Sequence, residues 1–315
     1  MARPIASLGH KEKLMTITEM PQISTQFPVH YKTARVQNLD IFYREAGSAT
    51  APVILLLHGF PTSSNMFRNL IPRLASSFRV IAPDYPGYGQ SSMPDRDSFE
   101  YSFANLTKVV EGFVETLGLT KFSMYVMDYG APIGYRLALL HPEKIQGLVV
   151  QNGNAYEEGL LEFWDPIKKY WKEPTPENQV ALHFLVDAKA TRWQYETGVA
   201  DVSLLDPTAW LVDQVGLDRP GNAAIQMDLF LSYATNVPLY PDFQAFFRKQ
   251  QPPTLIVWGK NDFIFPAEGA APYARDLKNL ETHLLDTGHF ALETHGAEIG
   301  DRIETFLLKN LEPAR

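Results

Sequence analysis

Alternating apolar and polar positions over residues 31–45 predict two strands joined by a turn at Asn38-Leu39-Asp40, an opening hairpin. Beyond it the alternation gives way to short continuous apolar runs: Val53-Ile54-Leu55-Leu56-Leu57, Val80-Ile81-Ala82 and Phe122-Ser123-Met124-Tyr125-Val126. A strand wetted on one face alternates, whereas one that is apolar throughout is covered on both. Residues 66–75 and 106–117, between these runs, carry apolar positions at helical spacing. Such strand-helix alternation predicts an α/β fold, a mostly parallel sheet with helices on both faces. The rhythm resumes at 147–150, 254–258 and 282–285, and ends in a helix carrying Ile299, Ile303, Phe306 and Leu307.

Between 152 and 241 the strand rhythm is lost. This stretch is helical in period, is interrupted by Pro166, Pro174, Pro176, Pro207 and Pro220, and holds Trp164, Trp171, Trp193 and Trp210 of the chain's 5 tryptophans. The simplest account is a helical cap inserted between two sheet strands. The expected division is an N-terminal extension at 1–29, a core made of 30–152 and 242–315, and a cap at 153–241.

Composition narrows the possibilities. A chain of 315 residues can bury one large core, or a core with a lid. Its 28 basic and 36 acidic residues give a net charge of −8, and no Lys/Arg block is long enough to track a phosphate backbone, so nucleic acid is not an expected partner. No apolar run approaches the roughly 18 to 20 residues that span a bilayer. Charges and glycine interrupt the first 20 residues, which do not read as a signal peptide, and the cytoplasm is the default expectation. The absence of cysteine rules out disulfides and thiol catalysis. No His/Cys cluster suggests a metal, and neither metal nor organic cofactor is expected. A monomer or homodimer acting on a small apolar molecule and water fits these bounds.

In open α/β sheets the ligand sits at the carboxyl ends of the strands. His58-Gly59-Phe60-Pro61 follows one apolar run, in a loop that would aim the backbone N–H of Phe60 at a developing oxyanion. Asp128 stands between a strand and a helix running to about Leu140, followed by Tyr129-Gly130-Ala131. This is the arrangement of a nucleophile elbow, although an aspartate here also serves as a helix N-cap. Asp262 follows the run at 254–258 in Gly259-Lys260-Asn261-Asp262, and His289 follows the last run in Gly288-His289-Phe290. Each alone is ordinary turn chemistry. Together, in the order nucleophile, acid, histidine and each directly after a strand, they point to catalysis.

These motifs, with Asp84-Tyr85-Pro86-Gly87-Tyr88-Gly89-Gln90-Ser91, resemble the α/β-hydrolase superfamily over residues 31–311, in particular its epoxide hydrolase and haloalkane dehalogenase branch. The resemblance implies an eight-stranded α/β-hydrolase fold with an inserted cap. It also implies a catalytic triad of Asp128, Asp262 and His289, with an oxyanion hole at Phe60 and Tyr129.

A carboxylate attacking an ester would make a more reactive anhydride and gain nothing, whereas attack on saturated carbon yields a stable alkyl ester of Asp128. His289 would then activate water to cleave it. Resemblance to epoxide hydrolases assigns the ring-opening proton to a pair of cap tyrosines, for which Tyr233 and Tyr170 match best, with Tyr156 and Tyr240 as competitors. Dehalogenases resemble one another in supplying indole N–H donors to the halide, one directly after the nucleophile. Here Tyr129 takes that place and Phe60 offers no side-chain donor. The expectation is therefore an epoxide hydrolase giving a vicinal diol. A haloalkane dehalogenase using cap residues such as Trp171 is the alternative, and a ligand-binding receptor of the same fold a remote one. His58, Tyr156 and Trp171 complete the pocket candidates.

Overall fold

The computed structural model describes residues 27–311. Residues 1–26 of the expected extension and 312–315 lie outside the described residues. Eight strands form one sheet: β1 (His30–Val36), β2 (Leu39–Ala46), β3 (Val53–Leu57), β4 (Arg79–Pro83), β5 (Phe122–Met127), β6 (Ile145–Gln151), β7 (Thr254–Gly259) and β8 (Leu280–Leu285). Their order is β1-β2-β4-β3-β5-β6-β7-β8, and β2 pairs antiparallel with both its neighbours while the pairs from β4 to β8 are parallel.

The opening hairpin turns one residue earlier than expected. Val36 pairs with Leu39, leaving Gln37 and Asn38 as the two loop residues, with φ of 48° and 67°. A two-residue turn with both residues left-handed matches the right-handed twist of the strands it joins, and that preference overrides the Asn-Leu-Asp signal.

Among the described residues ten α-helices accompany the sheet: α1 (Leu70–Leu74), α2 (Phe103–Thr116), α3 (Gly130–Leu140), α4 (Asp165–Lys172), α5 (Pro176–Val180), α6 (Ala188–Glu196), α7 (Pro207–Leu217), α8 (Asn222–Ser232), α9 (Tyr240–Gln250) and α10 (Ala291–Asn310). The fully apolar runs became strands buried along their length, apart from half-buried Val53 at the start of β3, because both faces are covered. Leu55, Leu57, Met124 and Val126 join a core containing Phe103, Val110 and Ile133 from α2 and α3. Their alternate neighbours Ile54, Leu56, Tyr125 and Met127 join a second core, with Leu70 and Leu74 of α1 and Ile299 and Ile303 of α10. Helices α4 to α8 lie in the segment between β6 and β7, and α9 returns to the sheet by packing Phe243 and Phe247 on Tyr135 of α3.

The order β4-β3-β5 positions the site. The chain leaves β3 for β4 on one side and resumes with β5 on the other, so the carboxyl ends of β3 and β5 flank the point where the winding reverses.

Candidate active site

At that reversal Asp128 follows β5 with φ 51°, a left-handed conformation that a non-glycine residue adopts only when its surroundings enforce it. Its carbonyl accepts from Ala131 N at 3.0 Å, starting α3. Gly130 is required by close approach, because a Cβ there would lie 2.1 Å from the carbonyl oxygen of Leu57. Gly59, on the loop after β3, is required by the aspartate itself: a Cβ would fall 2.3 Å from the Asp128 Cβ.

This packing carries two backbone N–H groups to one carboxylate oxygen. Phe60 N donates to Asp128 Oδ1 at 2.8 Å, and Tyr129 N donates to the same oxygen. Oδ2 is left facing His289, whose Nε2 stands 3.8 Å away. His289 Nδ1 is 2.7 Å from Asp262 Oδ2, so this carboxylate orients the ring. Asp262 Oδ1 accepts from Ile264 N at 2.8 Å. The side chains of all three are buried, and His289 Nε2 has no hydrogen-bond partner.

Burial raises the Asp128 carboxyl to about 6, against the lowering influence of His289 and of the Phe60 and Tyr129 N–H groups. Burial lowers His289, but the charge and hydrogen bond of Asp262, with the charge of Asp128, outweigh it and leave the imidazole raised.

Two positioning residues were invisible to sequence reading. Asn152, just after β6 with φ 41°, donates from Nδ2 to Asp262 Oδ2 at 2.8 Å and to the Gly259 carbonyl at 3.2 Å, while its Oδ1 accepts from Gly259 N at 2.9 Å. It ties the end of β6 to the turn bearing Asp262. Gln151 donates from Nε2 to the His289 carbonyl at 2.9 Å, fixing the histidine's backbone. Their place at the end of β6 and directly after it was the available signal, but amides are common at strand ends.

A cavity of about 30 Å³ opens on Asp128. Apart from Asp128 and the amide of Gln194 its wall is mainly apolar and aromatic, including Phe60, Tyr129, Phe163, Trp164 and Phe230. Phe163 also lines a larger basin of about 730 Å³ that reaches Asp262, Phe263 and Trp193.

Several expected pocket residues lie elsewhere. His58 is fully buried beneath the loop, with Nδ1 on the Gly59 carbonyl at 3.0 Å and Nε2 accepting from Tyr85 N at 3.3 Å. Both bonds suit one neutral tautomer, and burial holds the ring down at about 4. Tyr156 donates to Asp276 at 2.7 Å and packs on Tyr273. The Trp171 indole donates to the Phe230 carbonyl at 2.7 Å. The Tyr170 hydroxyl accepts from Gln179 at 3.0 Å. None of these four lines the cavity, because each polar end is claimed by a neighbour that the linear sequence does not reveal. Tyr233 is also outside the lining; its ring lies 4.6 Å from that of Trp164 and 6.0 Å from that of Tyr129. The Tyr129 and Tyr233 hydroxyls are buried without a hydrogen-bond partner.

Comparison with known proteins agrees with the architecture. The family model described as alpha/beta hydrolase fold matches residues 52–296. An uncharacterized hydrolase of Saccharomyces cerevisiae is 47% identical over 276 residues, covering 86% of this chain and 94% of that protein. A haloalkane dehalogenase of Bradyrhizobium diazoefficiens is 35% identical over 126 residues, 40% of each chain. Epoxide hydrolase 3 of Mus musculus is 25% identical over 281 residues, 85% of this chain and 74% of that one. Among solved structures, haloalkane dehalogenase DbeA from Bradyrhizobium elkani superimposes with a TM-score of 0.73 at 23% identity, over 90% of this chain and 98% of its own, a likeness of fold.

Proposed function

The chain belongs to the alpha/beta hydrolase fold family, in the branch that includes haloalkane dehalogenases and epoxide hydrolases, and we propose that it hydrolyses small apolar epoxides to vicinal diols through an ester of Asp128. The observation that carries this reading is the asymmetric carboxylate: Oδ1 is held by two backbone N–H groups, while Oδ2 faces His289 beside an apolar cavity. Residues 153–241 serve in this reading as the cap that closes over it.

Oδ2 attacks a ring carbon, the O–C bond forms as the ring C–O bond breaks, and the electron pair stays on the ring oxygen. A phenol supplies its proton. Tyr129 lines the cavity, Tyr233 packs beside it, and burial raises both phenols well above the usual tyrosine range, so each stays protonated to meet an alkoxide. In the ester, Oδ1 becomes the carbonyl oxygen already seated on the Phe60 and Tyr129 N–H groups. His289 Nε2 takes a proton from water, the hydroxide adds to Cγ, and the oxyanion forms on Oδ1. Collapse expels the second product oxygen, which takes the proton from His289. The acid proton left on Asp128 restores the phenol, so water and epoxide sum to the diol.

Leaving-group chemistry favours the epoxide over the halide. The indole donors that dehalogenases supply to a halide are spent here, the Trp164 indole in the cavity wall on the Ile264 carbonyl at 2.6 Å and the Trp171 indole on the Phe230 carbonyl, whereas two phenols are at hand for an alkoxide. The test is a parallel turnover assay on terminal and aryl epoxides and on haloalkanes, reading diol and halide, with Asp128→Asn as control. Diol without halide, lost in the variant, is the expected result; halide release without diol would replace this reading with a dehalogenase.

A further inference from the structure

Helix α6 belongs to the segment between β6 and β7, and its polar side chains are mostly paired. Thr191 donates to Gln214 of α7 at 2.7 Å, Tyr195 donates to Asp213 of α7 at 2.5 Å, and Arg192 pairs with Glu196 along the helix at 2.7 Å. The first two bonds fix the rotation and height of α6 against α7.

Gln194 is the exception. It is 3% exposed, it lines the cavity that opens on Asp128, and its Nε2 has no hydrogen-bond partner. Of its companions in that wall, Asp128 and Tyr129 carry side-chain acceptors but neither bonds the amide, and Ile167, Leu185, Phe163 and Phe230 carry none. Burying an amide N–H among such groups costs stability, and any apolar side chain of similar size would remove the cost. The Trp164 N–H in the same wall is already spent on a carbonyl, which leaves the Gln194 amide as a free side-chain N–H donor in a wall that also holds the Asp128 carboxylate.

We propose that Gln194 is a substrate-binding and specificity-determining residue whose amide N–H bonds the oxygen of a bound epoxide. The proposal rests on the epoxide reading above. The bond strengthens as the C–O bond breaks and charge builds on that oxygen, so it favours ester formation more than substrate binding. An amide does not ionise in this range, so Gln194 holds the oxygen in place while the phenol delivers the proton. Ester hydrolysis, in which charge develops on Oδ1 of Asp128, does not depend on it.

The experiment compares the wild-type chain with Gln194→Met, which keeps the length without the donor, and Gln194→Glu, which keeps the shape but reverses the polarity. Single-turnover mixing with an aryl epoxide separates ester formation from ester hydrolysis, and melting curves accompany both variants. The expected result for Gln194→Met is ester formation slowed about 10- to 100-fold, the range of a hydrogen bond to a developing charge. Hydrolysis of the ester is unchanged and the melting temperature is equal or higher. Gln194→Glu should be at least as slow. Equal ester formation in wild type and Gln194→Met overturns the role of Gln194 and leaves the epoxide reading standing. A lowered melting temperature with both chemical steps slowed together assigns Gln194 to packing and also overturns it. A wild-type chain that makes no diol removes the epoxide reading, and this proposal with it.

Discussion

His289 Nε2 lies 3.8 Å from Asp128 Oδ2, beyond hydrogen-bond reach, while its other nitrogen is 2.7 Å from Asp262. In a serine-type triad the histidine must grip the nucleophile to take its proton. A carboxylate needs no such activation, and in the proposed reaction the histidine acts instead on water in the second half. The spacing suits that proposed role.

Removing the base should therefore stop the cycle midway. His289→Gln is expected to form the Asp128 ester and hold it, so that intact-mass spectrometry after mixing with an epoxide shows the chain heavier by one substrate. Unmodified protein under conditions where the wild type turns over would exclude the covalent route.

Asn152 holds Asp262 and the Gly259 turn in one geometry. Asn152→Ala loses these bonds and places alanine at a φ of 41°, where asparagine is better tolerated. Ester hydrolysis is expected to slow by about 10- to 100-fold, since it depends on an oriented base, while ester formation changes less. Rapid quench with mass detection distinguishes the two steps; equal slowing of both would mean a general loss of structure.

Burial sets the Asp128 carboxyl at about 6. Protonation removes its nucleophilicity, so kcat/KM should fall as pH drops through about 6 and approach tenfold per pH unit below it. Once the ester forms, the negative charge that helped raise His289 is gone, and the imidazole becomes easier to deprotonate. The hydrolysis step is thus expected to persist to lower pH than the Asp128 charge would otherwise allow. Because the two groups interact, the free enzyme titrates as a pair. The check is a kcat/KM profile with single-turnover hydrolysis rates beside it; a profile flat to pH 4.5 would contradict the buried carboxylate.

Glu293, one turn beyond His289, accepts both ends of the Arg68 guanidinium, at 2.9 and 2.7 Å, with side chains 6% and 18% exposed. The pair clamps the start of α10 to the segment before α1. Glu293→Ala leaves a mostly buried guanidinium with Asp206 at 3.7 Å as its remaining carboxylate, and should cost on the order of 2 kcal/mol. Urea unfolding measures this, and an unchanged midpoint would show the clamp to be dispensable.

The features legible in the sequence were those set by local pattern. Continuous apolar runs required strands covered on both faces, helical spacing required helices between them, and the reversal of the winding brings residues after separate strands to one place. Asp128, Asp262 and His289 stand after β5, β7 and β8, so their meeting follows from topology almost alone. The segment between β6 and β7 differs because its helices carry no shared ladder that fixes their rotation. Which aromatic end reaches the cavity depends on partners far along the chain: Phe230 claims Trp171, Asp276 claims Tyr156, and Ile264 claims Trp164. Composition foretold an apolar pocket, but only packing decided that Gln194 lines it and that His58 is locked beneath the loop. Backbone hydrogen bonding orients a strand end regardless of distant sequence, whereas the direction of a side chain on an inserted helix is settled by whatever packs against it.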